Sequence, residues 1–287
     1  MTVTALGVPA RPAARLLLPT LVGLLAVTLV MSLVTGAVAV PVDRVLAALI
    51  GQGEGRDAVV VLQLRLPRAV MGAAVGAALA VAGAAMQGIF RNPLADPALI
   101  GVSSGAAMAA AATIILGGQL ALVAPWTNSA WLLPVAAFAG GLIATRVVAA
   151  VATRDGVTSA PSMLLAGIAV NAMAMALVGL LVWLSDDRQL RDFTFWSLGS
   201  LAGLDWPRTL VALPLLVIPV LLLPRLARPL NAMMLGEREA GHLGVPVQSV
   251  KRRAVLLSAL GVGAAVAATG LIGFVGLVVP HLVRLMV

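Results

Sequence analysis

Eight stretches of the chain are apolar for long enough, and polar seldom enough, to read as membrane-crossing helices. They run over 16–40, 67–90, 98–117, 130–152, 161–184, 209–224, 254–272 and 274–287. A bilayer span needs about 20 mostly apolar residues. Lipid offers no partner to an open backbone, so the expected element is the α-helix. The first stretch follows Arg11 and Arg15 and is longer than the apolar core of a signal peptide, which predicts a retained helix. Several stretches are rich in Gly and Ala and interrupted by Pro. Such helices pack through small residues, as at Gly72-x-x-x-Gly76 and Gly101-x-x-x-Gly105, although 29 glycines also place such spacings by chance.

Composition supports that pattern. Of the 287 residues 61% are hydrophobic and 10% charged, and the mean hydropathy is +1.07. A soluble chain is nearer half apolar and a quarter charged, so a soluble enzyme, a disordered chain and a nucleic-acid reader are excluded. The net charge of +8 is therefore topological, not nucleic-acid-binding. Cysteine is absent, which removes disulfides, thiolate metal sites and Cys nucleophiles. Tyrosine is absent too, and 3% aromatics are too few for the girdles of an outer-membrane barrel. What remains is an all-α, polytopic transmembrane helical bundle, read as one domain over 1–287.

Basic residues orient the bundle. With the N-terminus inside, the inner segments hold Arg11 and Arg15, Arg91, Arg146 and Arg154, and the long loop 225–253 with Arg225, Arg228, Arg238, Lys251, Arg252 and Arg253. The outer loop 118–129 has no charge, and the outer segment 185–192 sets Asp186, Asp187 and Asp192 against Arg188 and Arg191. One segment breaks the rule: 41–68 falls outside yet carries Arg44, Arg56, Arg65 and Arg68. Docking of an acidic external partner, snorkelling to headgroups and partial neutralisation by Asp43, Glu54 and Asp57 each account for it.

A shift of 187 residues sets Arg65 on Arg252, Gly76-Ala77-Ala78 on Gly263-Ala264-Ala265, Gly83 on Gly270 and Pro93 on Pro280. Opposed halves of this kind mark inverted-repeat transporters, and Ala/Gly-rich helices also match by chance.

The chain carries no energy source. A phosphate-binding loop needs Gly-Lys-Ser/Thr, and the one lysine, Lys251, follows Val250. Acidic residues sit in loops or at helix ends, not mid-span where a coupled pump holds them. His242 and His281 are far apart in sequence, and structural or exposed roles outweigh metal or haem ligation. Leu235-Gly236-Glu237-Arg238-Glu239-Ala240-Gly241-His242-Leu243-Gly244-Val245 mixes acid, base and apolar residues at helical spacing. It predicts a short amphipathic helix on the inner side, suited to a groove in a soluble partner or simply a solvated linker.

At this point the sequence resembles the permease subunits of FecCD-type (type II) ATP-binding-cassette importers for iron–siderophore complexes, haem and vitamin B12. The resemblance rests on Arg65-Leu-Pro-Arg68, Gly76-Ala-Ala-Leu-Ala80 and Met86-Gln87-Gly88. It continues through Arg91-Asn92-Pro93-Leu94-Ala95-Asp96-Pro97, Gly101-Val-Ser-Ser-Gly105, Leu165-Ala166-Gly167, the loop from Leu235-Gly-Glu to His242-Leu-Gly244, and Gly270-Leu-Ile-Gly-Phe-Val-Gly276 into Pro280-His281-Leu-Val-Arg284. The motifs run in family order from about residue 30 to the end.

The resemblance implies a type II importer permease fold working as a homodimer in the bacterial inner membrane, N-terminus inside. Two ATPase subunits bind it from the cytoplasm and a substrate-binding protein docks from the periplasm. ATP belongs to the partner, the permease is not an enzyme, and no cofactor is held permanently. Family members have ten helices; about eight are expected here, because the chain stops after Pro280-His281 where relatives continue for two more. By resemblance, Arg65 and Arg68 dock the binding protein. Asn92 and Leu94, with Thr158 and Ser159, form the cytoplasmic gate. Glu237, Arg238, Glu239 and His242 form the polar face of the ATPase-coupling segment.

For the cargo, Asp186 to Ser200 looks like the corresponding stretch of haem permeases, with Gln-Leu-Arg before Thr-Phe-Trp and Leu-Gly-Ser. Arg188 and Arg191 are placed to meet haem propionates or to pair with Asp186, Asp187 and Asp192. Met173 and Met175 lie mid-span, either against a porphyrin or as plain packing. The reading is a haem importer permease. Alternatives are a siderophore or cobalamin cargo, an ATP-independent secondary transporter, and a membrane scaffold.

Overall fold

The computed structural model describes residues 12–123 and 130–286; Arg11, the side chain of Arg15 and residues 124–129 of the expected outer loop lie outside the described residues. In chain order the helices are α1 (Pro12–Val34), α2 (Val42–Leu49), α3 (Gly55–Val59), α4 (Leu66–Phe90), α5 (Val102–Val123), α6 (Leu132–Val151), α7 (Ala160–Trp183), α8 (Asp187–Leu198), α9 (Trp206–Leu222), α10 (Ala227–Met234), α11 (Glu237–His242), α12 (Val247–Thr269) and α13 (Val275–Met286). Six helical runs, 16–34, 55–90, 132–151, 160–183, 206–234 and 247–269, are long and apolar enough to cross a membrane, and 102–118 and 275–286 are shorter apolar helices. An apolar helix thus stands at each of the eight expected places.

Two boundaries differ from expectation, each for a physical reason. Residues 55–65, expected in an outer loop, are helical: α3 runs through a π-turn over Val60–Arg65 directly into α4. Pro67 marks a helix start in a sequence, because it lacks the N–H that an interior position supplies and its ring crowds the preceding turn. The wider π-turn just before it accommodates that break inside one continuous helix. Likewise α12 begins at Val247, so Lys251, Arg252 and Arg253 are helical and not part of a loop. Val250, Lys251, Ala254 and Val255 are buried on one side of it, while Arg252 and Arg253 are exposed.

The described chain divides into two compact units. The first takes in residues up to Ala69 and those from His281 on. Its core is Leu33, Val40, Val45, Ala48 and Val61, and Arg44 bridges to Asp57 at 2.6 Å on its surface.

The second unit, Val70–Pro280, holds the larger core. At its centre is α12, with thirteen buried residues. It packs against α5, α6 and α9. Close approach depends on residues without side chains. A Cβ on Gly105 of α5 would collide with the Gly140 carbonyl and Ala144 of α6, and one on Gly83 of α4 would collide with the backbone of Gly276. The Gly101-x-x-x-Gly105 spacing therefore makes a helix contact, whereas Gly76 faces open space and Gly72 meets only the Leu201 side chain at 3.4 Å. The Gly72-x-x-x-Gly76 spacing makes no such helix contact.

The 187-residue echo does not carry into local structure at two of its pairs. Gly83 lies inside α4 while Gly270 ends α12 with φ +75°, and Pro93 lies in a turn while Pro280 is inside α13.

Gly105→Val should lower the melting temperature in detergent, because overpacking a tight contact costs about 1–3 kcal/mol. Gly76→Ala should not. Equal melting curves for the two variants would show that α5 and α6 are not held by that contact.

Candidate functional site

Between α6 and α7 the chain forms a small hairpin, β1 (Thr153–Arg154) paired antiparallel with β2 (Val157–Thr158), with Thr153 opposite Thr158. Its two turn residues, Asp155 and Gly156, have φ of +51° and +78°. A two-residue hairpin needs this positive pair, and Asp-Gly supplies it with little strain. The hydroxyls of Thr153 and Thr158 bond at 2.8 Å across the ladder. Ser159 follows, donating its N–H to the Ala152 carbonyl and capping α7 through its hydroxyl, which accepts from Ser162 N–H at 3.4 Å.

Both backbone polar groups of Thr158 are taken by α12. Its N–H donates to Gln248 Oε1 at 2.9 Å, and its carbonyl accepts from Lys251 Nζ at 2.6 Å. Gln248 and Lys251 are three residues apart and so share one helix face. The same ammonium donates to Glu237 Oε2, also at 2.6 Å. Glu237 opens α11, and Arg238, Glu239 and His242 are exposed around that helix while Ala240 is buried. Lys251 is 1% exposed and the Glu237 side chain 30%. A buried ammonium is strongly unfavourable unless paired, and here it has a carboxylate and a carbonyl. Thr158 and Glu237, identified separately in the sequence, are thus joined by a residue read there only as a topology charge. The available signal was a lone lysine among eighteen arginines, spaced with Val250, Ala254 and Val255 on an apolar helix face.

The other predicted gate residues stand apart. Asn92 Oδ1 accepts from Leu94 N–H at 2.9 Å, closing a turn in which Arg91 has φ +50°. Asn92 is exposed and Leu94 is 58% exposed. Asp96 accepts from Ala98 N–H at 2.7 Å and caps a short 3-10 helix over Pro97–Ile100. Asn171 of α7 donates to the Ala98 carbonyl at 3.2 Å and accepts from the Ser104 hydroxyl at 2.5 Å. This polar tie between α7, α5 and the 91–101 turn was not foreseen, because Asn171 sits singly in an apolar run. Among the described residues no hydrogen bond joins Asn92 or Leu94 to Thr158 or Ser159.

Arg65 is buried and turned inward. Its guanidinium donates to the carbonyls of Leu33 at 2.6 Å, Val34 at 2.8 Å and Val38. Leu33 and Val34 end α1, whose last carbonyls have no partner inside the helix. Arg65 is therefore a capping residue for α1, a role the sequence reading did not assign to it. Arg68, one turn on, is half-buried, and its Nε finds no partner.

The model of the FecCD transport family matches residues 24–287. The chain belongs to the FecCD family. It is 47% identical over 225 residues to the hemin transport system permease protein HmuU of Yersinia pestis, a match covering 78% of this chain and 66% of that protein. It is 44% identical over 230 residues to the cobalamin import system permease protein BtuC of Halobacterium salinarum, covering 80% and 59%. The chain thus spans just under two-thirds of the length of these curated relatives. A solved structure of a metal-chelate type ABC transporter, inward-facing, superposes with a TM-score of 0.80 at 32% identity, covering 94% of this chain and 80% of that one. The FecCD chain therefore has the type II importer permease fold predicted for it.

The residues named for a substrate path are not gathered into a site. Met173 and Met175 are 69% and 54% exposed along α7. Arg188 and Arg191 are exposed on α8, and among the described residues neither makes an ion pair. Asp186 is instead the N-cap of α8, accepting from the N–H groups of Arg188 and Gln189, while Gln189 Nε2 reaches back to the Ile115 carbonyl at 3.0 Å. Among the described residues no three His, Asp or Glu side chains cluster as metal ligands.

Arg65→Met should lower the melting temperature of the FecCD chain in detergent more than Arg68→Met. Each carbonyl left bare in apolar surroundings costs about 1–3 kcal/mol. Equal losses would show that Arg65 is not what holds the end of α1.

Proposed function

We propose that the chain is the membrane-spanning subunit of an ATP-binding-cassette importer that carries haem across a bacterial inner membrane, with its N-terminus in the cytoplasm. Two copies form the pathway, two ATPase subunits bind on the cytoplasmic side, and a periplasmic binding protein delivers the cargo. The observation that carries this reading is the 47% identity with a hemin permease over 78% of the chain. The haem-permease-like stretch 186–200 supports it, with Arg188 and Arg191 exposed and free of ion pairs among the described residues, suited to propionates.

In this reading the chain hydrolyses nothing itself. Its one lysine lies in a helix behind Val250, so a phosphate loop is absent and the ATPase is another chain. Residues 225–253 include the coupling region, with Glu237, Arg238, Glu239 and His242 of α11 facing the ATPase. Thr158 and Ser159, with Asn92 and Leu94, close the cytoplasmic end. ATP-driven movement of α11 switches the bundle between inward- and outward-open states. For docking, Arg68 is the cation left to meet a carboxylate of the binding protein. Such rim charges steer association more than they tighten it.

Cobalamin is the second cargo reading, favoured by the 44% identity with a cobalamin permease. A secondary transporter is disfavoured because no acidic side chain lies in the middle of a candidate span.

The test is haem uptake into proteoliposomes holding the permease with its cognate ATPase and binding protein, with and without internal ATP. ATP-dependent accumulation is expected. Uptake indifferent to ATP would indicate a secondary transporter. Failure to take up haem, with ATP hydrolysis still stimulated by cobalamin-loaded binding protein, would move the cargo. In the same vesicles Arg68→Glu should raise the binding-protein concentration needed at low salt, an effect that fades as salt screens the pair.

A further inference from the structure

We infer that Lys251 is a positioning residue that makes the 153–158 hairpin and α11 move as one piece, so that displacement of the coupling helix is delivered directly to the gate loop. The inference rests on the coupling and gating roles proposed above for Glu237 and Thr158.

Three observations carry it. Lys251 is 1% exposed, and its ammonium lies 2.6 Å from both the Glu237 carboxylate and the Thr158 carbonyl. Among the described residues these are the hydrogen bonds that connect the hairpin with α11, and both run through this one nitrogen. The Thr158 N–H is held in addition by Gln248 from the same face of α12. The hairpin is itself stiff: a two-residue turn with both φ values positive and a hydroxyl bond across the ladder.

The mechanical consequence follows from the cost of separating the charges. A buried ammonium deprived of its carboxylate is left uncompensated in apolar surroundings. When a partner pulls α11, Glu237 therefore takes the Lys251 head with it, and the Thr158 carbonyl follows. Lysine suits the task because its ammonium is compact and its donors rotate, so one point charge serves two acceptors on different elements while the stem flexes. Arginine, with a rigid planar fork, would not keep both contacts through such a movement. The exposed edge of Glu237 gives the ATPase direct access to the same switch.

Two measurements on the full importer test the inference. The first compares haem transported per ATP hydrolysed in proteoliposomes. Lys251→Met should still assemble and hydrolyse ATP, with transport per ATP falling about tenfold, in the ordinary range of an inter-site coupling. Lys251→Arg should restore the charge without restoring the ratio, and Glu237→Gln should resemble Lys251→Met with no further loss in the double variant. A purely structural lysine would lower ATPase and transport together through loss of assembled protein. An assembled Lys251→Met importer with the wild-type ratio overturns the inference while leaving the importer reading intact. Absence of ATP-dependent uptake by the wild type would instead overturn the importer reading.

The second measurement stands even where Lys251→Met fails to fold. The chain has no cysteine, so spin labels at Val157→Cys and Arg238→Cys, both exposed positions, report one distance. That distance should be the same in the nucleotide-free and ATP-bound wild-type importer, while labels referenced to α6 move. A nucleotide-dependent change beyond the width of the distance distribution means that hairpin and α11 move separately, and the inference fails.

Discussion

A chain with 10% charged residues, much of it surrounded by lipid, has few polar side chains with which to satisfy buried backbone groups. That constraint decides where its buried cations go. Arg65 reaches the last carbonyls of α1, and Lys251 takes the Thr158 carbonyl together with the Glu237 carboxylate. Each charged head reaches carbonyls outside its own helix, at the end of α1 and in the hairpin before α7, where hydrogen bonding within a helix runs out. Elsewhere α5 and α6 meet closely through Gly105, Gly140 and Ala144, and thirteen residues of α12 are buried.

Much of this was legible in the sequence, for specific reasons. Long apolar runs located the helices, because nothing but helix satisfies the backbone in lipid. Asn-Pro and Asp-Pro pairs favour turns, and the structure has one over 91–97, with Asn92 and Asp96 each accepting a backbone N–H two residues on. What escaped were features set by distant partners. In the sequence the second span reads from 67, with 41–68 outside, because the π-turn that joins α3 to α4 leaves no mark in composition. Lys251 looked like a topology charge because the Glu237 carboxylate and the Thr158 carbonyl reach it only in the folded chain. Arg65 and Arg68 form one motif in sequence, yet one side chain is turned inward and the other is half-buried beside it.

The division between machine and cargo has the same origin. Family membership follows from motifs spread over 24–287, which define how helices pack and how loops turn. The residues proposed for the cargo path are few: Arg188, Arg191, Met173 and Met175. These are exposed on α7 and α8, and within one chain they do not converge. Relatives at 47% and 44% identity are named for hemin and for cobalamin, so overall likeness separates the two cargoes by little.

The account depends most on a buried, doubly bonded ammonium at Lys251, and the chain allows that to be read directly because it contains one lysine. Amine-reactive labelling of the membrane-embedded protein, located by peptide mass spectrometry, should leave Lys251 unmodified. After denaturation Lys251 should be modified. Labelling of Lys251 in the native protein at the rate of the denatured control would contradict the account.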